Sequence, residues 1–249
     1  MSEDFEVLER FLQMNVNHTR DLFGLFRTLS GVLEGQGEKK KEHWLYMPGA
    51  RADRCLLVAH ADTVWDNSYD RKRFHPGVRF ENGVFFSRDS KCGIGADDRA
   101  GCAILWLMRE SGHSLLLLDG EEHGLVGARY LMTDERMAKE LNGHTFMLEL
   151  DRRNSSEYKT YALPVSREFI SFIEDSTGYT CPGNNAGSDI AALCRGICGA
   201  NLSVGYKNEH TSDEILVYED WQHTLDLVRK MTEKPLPRFP LVQNERSAP

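Results

Sequence analysis

Two histidines and a set of carboxylates stand at the ends of short apolar runs in this 249-residue chain. Arg54–His60 (RCLLVAH) leads into Asp62, Ser114–Leu118 into Glu121 and Glu122, His144–Leu150 into Asp151, and Ala200–Gly205, after a short loop, into His210. Asp97 and Asp98 occupy a turn entering a helix. Imidazole nitrogen and carboxylate oxygen are donors that Zn²⁺ accepts, usually four in number, with a catalytic site keeping one position for water. Two histidines and three carboxylates, one of them bridging, suffice for two such ions, and a paired site acidifies water and clamps a substrate carbonyl. Adjacent glutamates can then divide the labour, one ligating metal while the other takes the proton from attacking water. Asp62 is placed to accept a hydrogen bond from the second ring nitrogen of His60 and so fix its tautomer.

Each fragment alone is commonplace. A His-x-Asp is usually a surface coincidence, a Glu-Glu a solvated pair, and Asp97-Asp98 beside Gly95 most simply a helix N-cap. His75, His113, His123, His144 and His223 have no such company. What carries weight is joint occurrence, and that depends on elements able to bring the segments together. The apolar spacing predicts helices over Phe5–Met14 and Asp21–Leu33, the second stopped by Gly35, and further helices over Asp98–Glu110, Gly124–Thr133, Asp134–Leu141, from Ser188 and over Glu219–Thr232. Strands are expected at His43–Met47, Arg54–His60, Ser114–Leu118, His144–Leu150, Phe169–Glu174 and Ile197–Gly205, with a hairpin over Val78–Phe86 around Asn82-Gly83. Strands alternating with helices predict a three-layer α/β/α domain around a mixed, mostly parallel sheet. In such sheets the carboxyl ends of the strands form the ligand crevice, which is where these side chains fall.

The composition, 41% apolar and 27% charged, is globular. A net charge of −8 argues against a nucleic-acid partner, and no apolar run approaches the ~20 residues that cross a bilayer. The acidic N-terminus lacks the pattern of a signal peptide, and six scattered cysteines form neither a disulfide framework nor a Cys-x-x-Cys site. A cytoplasmic protein is expected, with residues 1–234 as one domain and a proline-containing tail over 235–249. The basic run Lys39–Lys41 reads as a solvated loop.

The ordered strings His60-Ala-Asp62-Thr-Val, Gly95-Ala-Asp97-Asp98-Arg-Ala-Gly101, Glu121-Glu122-His-Gly124, Asp151 and His210-Thr-Ser-Asp-Glu214 resemble those of the di-zinc exopeptidase superfamily. That superfamily includes peptidase T, carboxypeptidase G-like enzymes and bacterial leucyl aminopeptidases. The resemblance spans roughly residues 5–232. It implies that His60 and Asp151 complete one metal, Glu122 and His210 the other, and that Asp97 bridges them. It further implies Glu121 as general acid/base, Asp62 as the orienter of His60, and a cis peptide after Asp97. Many relatives insert a lid or dimerisation domain between the last two ligands. The 58 residues between Asp151 and His210 leave no room for one of ordinary size, so the chain must stabilise the oxyanion otherwise, work on unusual substrates or have lost activity; Tyr206 is a candidate donor and also reads as a half-buried tyrosine at a strand end.

The activity implied is hydrolysis of a short peptide by a water activated between two divalent ions, Zn²⁺ or alternatively Mn²⁺ or Co²⁺, with aminopeptidase the leading form. An N-acyl amino acid amidohydrolase or carboxypeptidase-type enzyme, and a metal-binding relative that lost activity with the lid, are the alternatives. Arg99, Arg152 and Arg153 lie beside proposed ligands, where they could pair with a substrate carboxylate, neutralise the acids or face solvent. Arg153 is the candidate carried furthest for substrate binding.

Overall fold

The computed structural model describes residues 2–67, 77–88, 92–183 and 186–242, so His75 and the tail from residue 243 lie outside the described residues. In chain order the elements are α1 (Glu3–Leu12), α2 (Arg20–Phe26), β1 (Leu33–Gln36), β2 (His43–Met47), β3 (Leu56–His60), β4 (Val78–Glu81) and β5 (Val84–Ser87). Then come α3 (Ala96–Leu107), β6 (Ser114–Leu118), α4 (Val126–Leu131), α5 (Glu135–Leu141), β7 (Met147–Arg152) and β8 (Tyr158–Lys159). The chain closes with α6 (Arg167–Thr177), α7 (Asp189–Leu193), β9 (Gly199–Ser203), β10 (Tyr206–Lys207), β11 (Ile215–Val217) and α8 (Tyr218–Glu233).

The apolar runs become the centre of a seven-stranded sheet ordered β1-β2-β6-β3-β7-β9-β8, in which β6, β3, β7 and β9 are mutually parallel and the flanking pairings antiparallel. Strands β3, β6 and β9 are buried at every residue, as strands covered on both faces must be. Alternation assigns Leu57, Ala59, Leu115 and Leu117 to a core shared with α1, α3 and α8. It sends Leu56, Val58, Leu116 and Leu118 to a second core under α4, α5 and α7. The fold is therefore the expected layered α/β/α domain.

Three expectations are corrected. Phe169–Glu174 is not a strand but the middle of α6, capped by the Ser166 side chain and burying Phe169, Ile173 and Thr177 at helical spacing. A short apolar run carries no period of its own, and here the cap decides. The helix expected over Asp21–Leu33 stops at Phe26, and Leu33–Gln36 is an edge strand paired with β2. Gly35 lies within that strand because a Cβ there would run into the Trp44 ring. The third concerns Lys41, which is 8% exposed and turned inward rather than solvated.

The Asn82-Gly83 hairpin is present, both residues having positive φ as a primed turn needs. It belongs to a second, antiparallel sheet, β10-β11-β5-β4, that the sequence pattern did not announce. After α8, Leu236 and Phe239 return to the core, and the Phe239 backbone bonds both Thr145 and Cys198. All six cysteines are free. Among the described residues no helix is long and apolar enough to cross a membrane.

Candidate metal centre

The turns that leave the parallel strands deliver the acids and histidines to one place. His60 is the last residue of β3, Asp151 lies near the end of β7, and Glu121 and Glu122 occupy the turn between β6 and α4. Asp97 sits in the first turn of α3 with non-helical dihedrals, and the Asp97-Asp98 peptide is cis. His210, at φ +65, comes from the β10–β11 loop of the small sheet.

Two trios of donors result. His60 Nε2 lies 3.1 Å from Asp97 Oδ1 and 3.4 Å from Asp151 Oδ1. His210 Nε2 lies 3.2 Å from Asp97 Oδ2 and 3.0 Å from Glu122 Oε1. In each trio one atom per residue falls within 4.8 Å of the others. Asp97 belongs to both and turns a different oxygen to each. Glu122 Oε1 has no hydrogen-bond partner despite its closeness to His210. The donors are all imidazole nitrogen and carboxylate oxygen, the set suited to Zn²⁺, Mn²⁺ or Co²⁺, and such ions fit these residues.

The acids crowd one another. Burial raises the Asp151 carboxyl to about 6, with Asp97 adding to the effect. Burial also lifts Glu121 to about 10; the charge of His60 opposes this, and Asp151, Asp189 and Asp97 reinforce it. For Asp97 burial acts upward as well, but the His210 and His60 rings outweigh it and hold the carboxyl below its usual range. The neighbouring Asp97 and Glu122 carboxylates raise His210 to about 11. A divalent cation among these groups would act against the repulsion.

The supporting residues were only partly foreseen. Asp62 Oδ1 lies 3.4 Å from His60 Nδ1 without the hydrogen bond expected there, and it accepts the backbone N–H groups of Gly120 (2.8 Å) and Glu121 (3.1 Å), tying the His60 turn to the glutamate turn. His123, which the sequence left without a role, stands 3.2 Å from Asp62 Oδ2. Asp98 accepts from the N–H groups of His60 and Gly101. Glu214 is buried and accepts from the N–H groups of Gly95 (2.7 Å) and Asp97 (3.1 Å), joining the His210 segment to the aspartate shared by the two trios. Asp189 is buried with neither oxygen bonded, beside Ser188, whose hydroxyl donates to Asp151 Oδ2 at 3.2 Å. In the sequence Ser188-Asp189 reads as the start of a helix.

The remaining candidates have other partners. The buried Tyr206 hydroxyl donates to Asp151 Oδ1 at 3.1 Å, so its hydrogen is directed at a carboxylate. Arg153 is half-exposed and bonds Glu209 at 2.9 Å, and Arg152 pairs with Glu157 at 2.7 Å. Arg99 is buried and donates to the carbonyls of Ala61 and Asn15, which rules out solvent or a substrate carboxylate as its partner.

No family model and no curated protein matches the sequence. Solved structures do resemble the fold. An aminopeptidase PepT from Bacillus cereus matches with a TM-score of 0.66 at 16% identity, over 92% of this chain and 96% of that one. A tripeptidase from Staphylococcus aureus matches with a TM-score of 0.65 at 14% identity, over 93% and 98%. The TET1 peptidase of Pyrococcus horikoshii, described as assembling into a tetrahedron or a large octahedral shell, matches with a TM-score of 0.63 at 14% identity, over 92% and 99%. The chain thus has the fold of these peptidases.

Proposed function

We propose that this protein is a metal-dependent peptidase that removes the N-terminal residue of short peptides, with two divalent cations shared across Asp97. The observation that carries the reading is the pair of donor trios joined through the two oxygens of one aspartate, with Glu121 beside them. His60 and Asp151 would hold one cation, His210 and Glu122 the other. Bound cations of this kind acidify water and polarise a carbonyl. Glu121, free of ligating duty, takes the proton from the attacking water and returns it to the leaving amine. Asp62, 3.4 Å from His60 Nδ1, would orient that ring, and Tyr206 and Ser188 donate to the Asp151 carboxylate. The peptidase fold of the similar structures supports the reaction class, and the aminopeptidase and tripeptidase names they carry favour the N-terminal end.

Tyr206 spends its hydrogen on Asp151, which leaves the transition-state oxyanion without that donor and favours a second reading, a metal-binding protein without turnover. Dipeptides, tripeptides, aminoacyl-anilides and N-acyl amino acids, tried with Zn²⁺, Mn²⁺ and Co²⁺, separate the two. Turnover of aminoacyl substrates that disappears in Glu121→Gln, while elemental analysis still finds wild-type metal, supports the enzyme. A wholly inert panel, or a Glu121→Gln variant as active as wild type, refutes it.

A further inference from the structure

The hairpin between β1 and β2 carries a lysine turned into the protein. Lys41 adopts φ +76, a conformation unfavourable for a residue with a side chain, and only 6% of its side chain is exposed. Its Nζ meets three carboxylates: Asp66, Asp119 Oδ1 at 2.9 Å, and Asp62 Oδ2 at 3.9 Å. Among the described residues it is the only lysine or arginine in ion-pair range of Asp62. Asp119, which also accepts the Thr19 hydroxyl at 3.2 Å, fixes the ammonium from the far side. Opposite charges thus run from Asp119 through Lys41 to Asp62, whose Oδ2 also faces His123 at 3.2 Å, and on to His60 Nδ1, the last step a 3.4 Å charge contact without a hydrogen bond.

Taking an ammonium out of water is costly unless its partners are well placed, and a buried ammonium facing three acids needs a reason. Those acids include the one that orients a histidine of the centre. We propose that Lys41 is a positioning residue of the metal centre: its ammonium holds the Asp62 carboxylate, and through it the His60 ring, in the geometry that binds a cation in the His60–Asp151 half. The proposal rests on the dinuclear reading above. Lys41 touches neither a proposed ligand nor substrate, and it acts only through Asp62.

The test is zinc affinity, read by competition with a chromophoric chelator, with no activity involved. Wild-type protein should take up zinc in two steps. Lys41→Met should weaken one step measurably, by no more than the about 10–100-fold that losing a ligand's direct partner causes, and leave the other unchanged. Leu141→Ala, at the buried end of α5 in the second core, serves as a control that lowers stability, and both its zinc steps should stay at wild-type values. Should Lys41→Met fail to fold, the double variant Lys41→Met/Asp66→Asn removes one buried charge of each sign and should show the same selective loss. Two wild-type steps in the lysine variants, or equal losses in Leu141→Ala, overturn the positioning role alone. A wild-type protein that binds no zinc overturns the dinuclear reading, and this inference with it.

Discussion

Replacing Tyr206 by phenylalanine removes one oxygen from a buried site and little else. The hydroxyl donates to Asp151 Oδ1 at 3.1 Å, and the other Asp151 oxygen keeps the Ser188 hydroxyl at 3.2 Å. A hydrogen bond to a charged acceptor contributes about 1.5–3 kcal/mol. At about 1.4 kcal/mol per decade, its loss corresponds to roughly 10–150-fold in affinity for whatever Asp151 binds. The independent experience with partners of ligating groups, about 10–100-fold, falls in the same range. Tyr206→Phe should therefore weaken one of two zinc-binding steps by one to two decades, and at saturating metal its turnover should approach that of wild type. The assay is chelator-competition titration beside kcat measured over a series of free zinc concentrations. If zinc affinity is unchanged and kcat falls at every concentration, the hydroxyl acts on the reacting carbonyl and the argument from its hydrogen bond is wrong.

Two further outcomes follow from the same structure. Burial lowers His144 from its usual 6.5 to about 4, so the unfolded chain takes up this proton first as pH falls. Stability should decline between about pH 6.5 and 4 by up to roughly 3 kcal/mol, and should be insensitive to this group above that window. Urea midpoints for His144→Gln should lack that share, and curves parallel to wild type would exclude it. A Cβ on Gly101 would run into the Leu150 carbonyl of the sheet, which has no room to retreat. Gly101→Ala should cost about 1–3 kcal/mol and lower Tm by roughly 2–4 °C for each, with an unchanged melting curve as the refuting result.

What the sequence conveyed about the site was whatever lies close in sequence or recurs in order. His60-x-Asp62 and Glu121-Glu122 could be read because both members of each pair leave the same strand, and strand-end placement then implied their meeting. Lys41 could not, since a Lys-rich turn looks the same whether its last ammonium faces water or three acids 21 to 78 residues further on. Asp189 and Glu214 were hidden for a like reason, for their significance lies in backbone amides and neighbours from other segments. Gly35 misled because a glycine that ends a helix and one that admits an indole ring are the same letter. The failure of sequence matching beside a clear structural likeness has the same origin. The layered cores accept many apolar choices, whereas the few side chains at the strand ends answer to geometry.

The small antiparallel sheet that bears His210 shares no strand with the large one, and Glu214 reaches across the gap to the Gly95 and Asp97 amides. Ions lodged at that seam would work as rivets between two separately woven fabrics. Gaining or shedding them would then tighten or slacken the join between the two sheets, at the place where His210 and Glu214 meet Asp97.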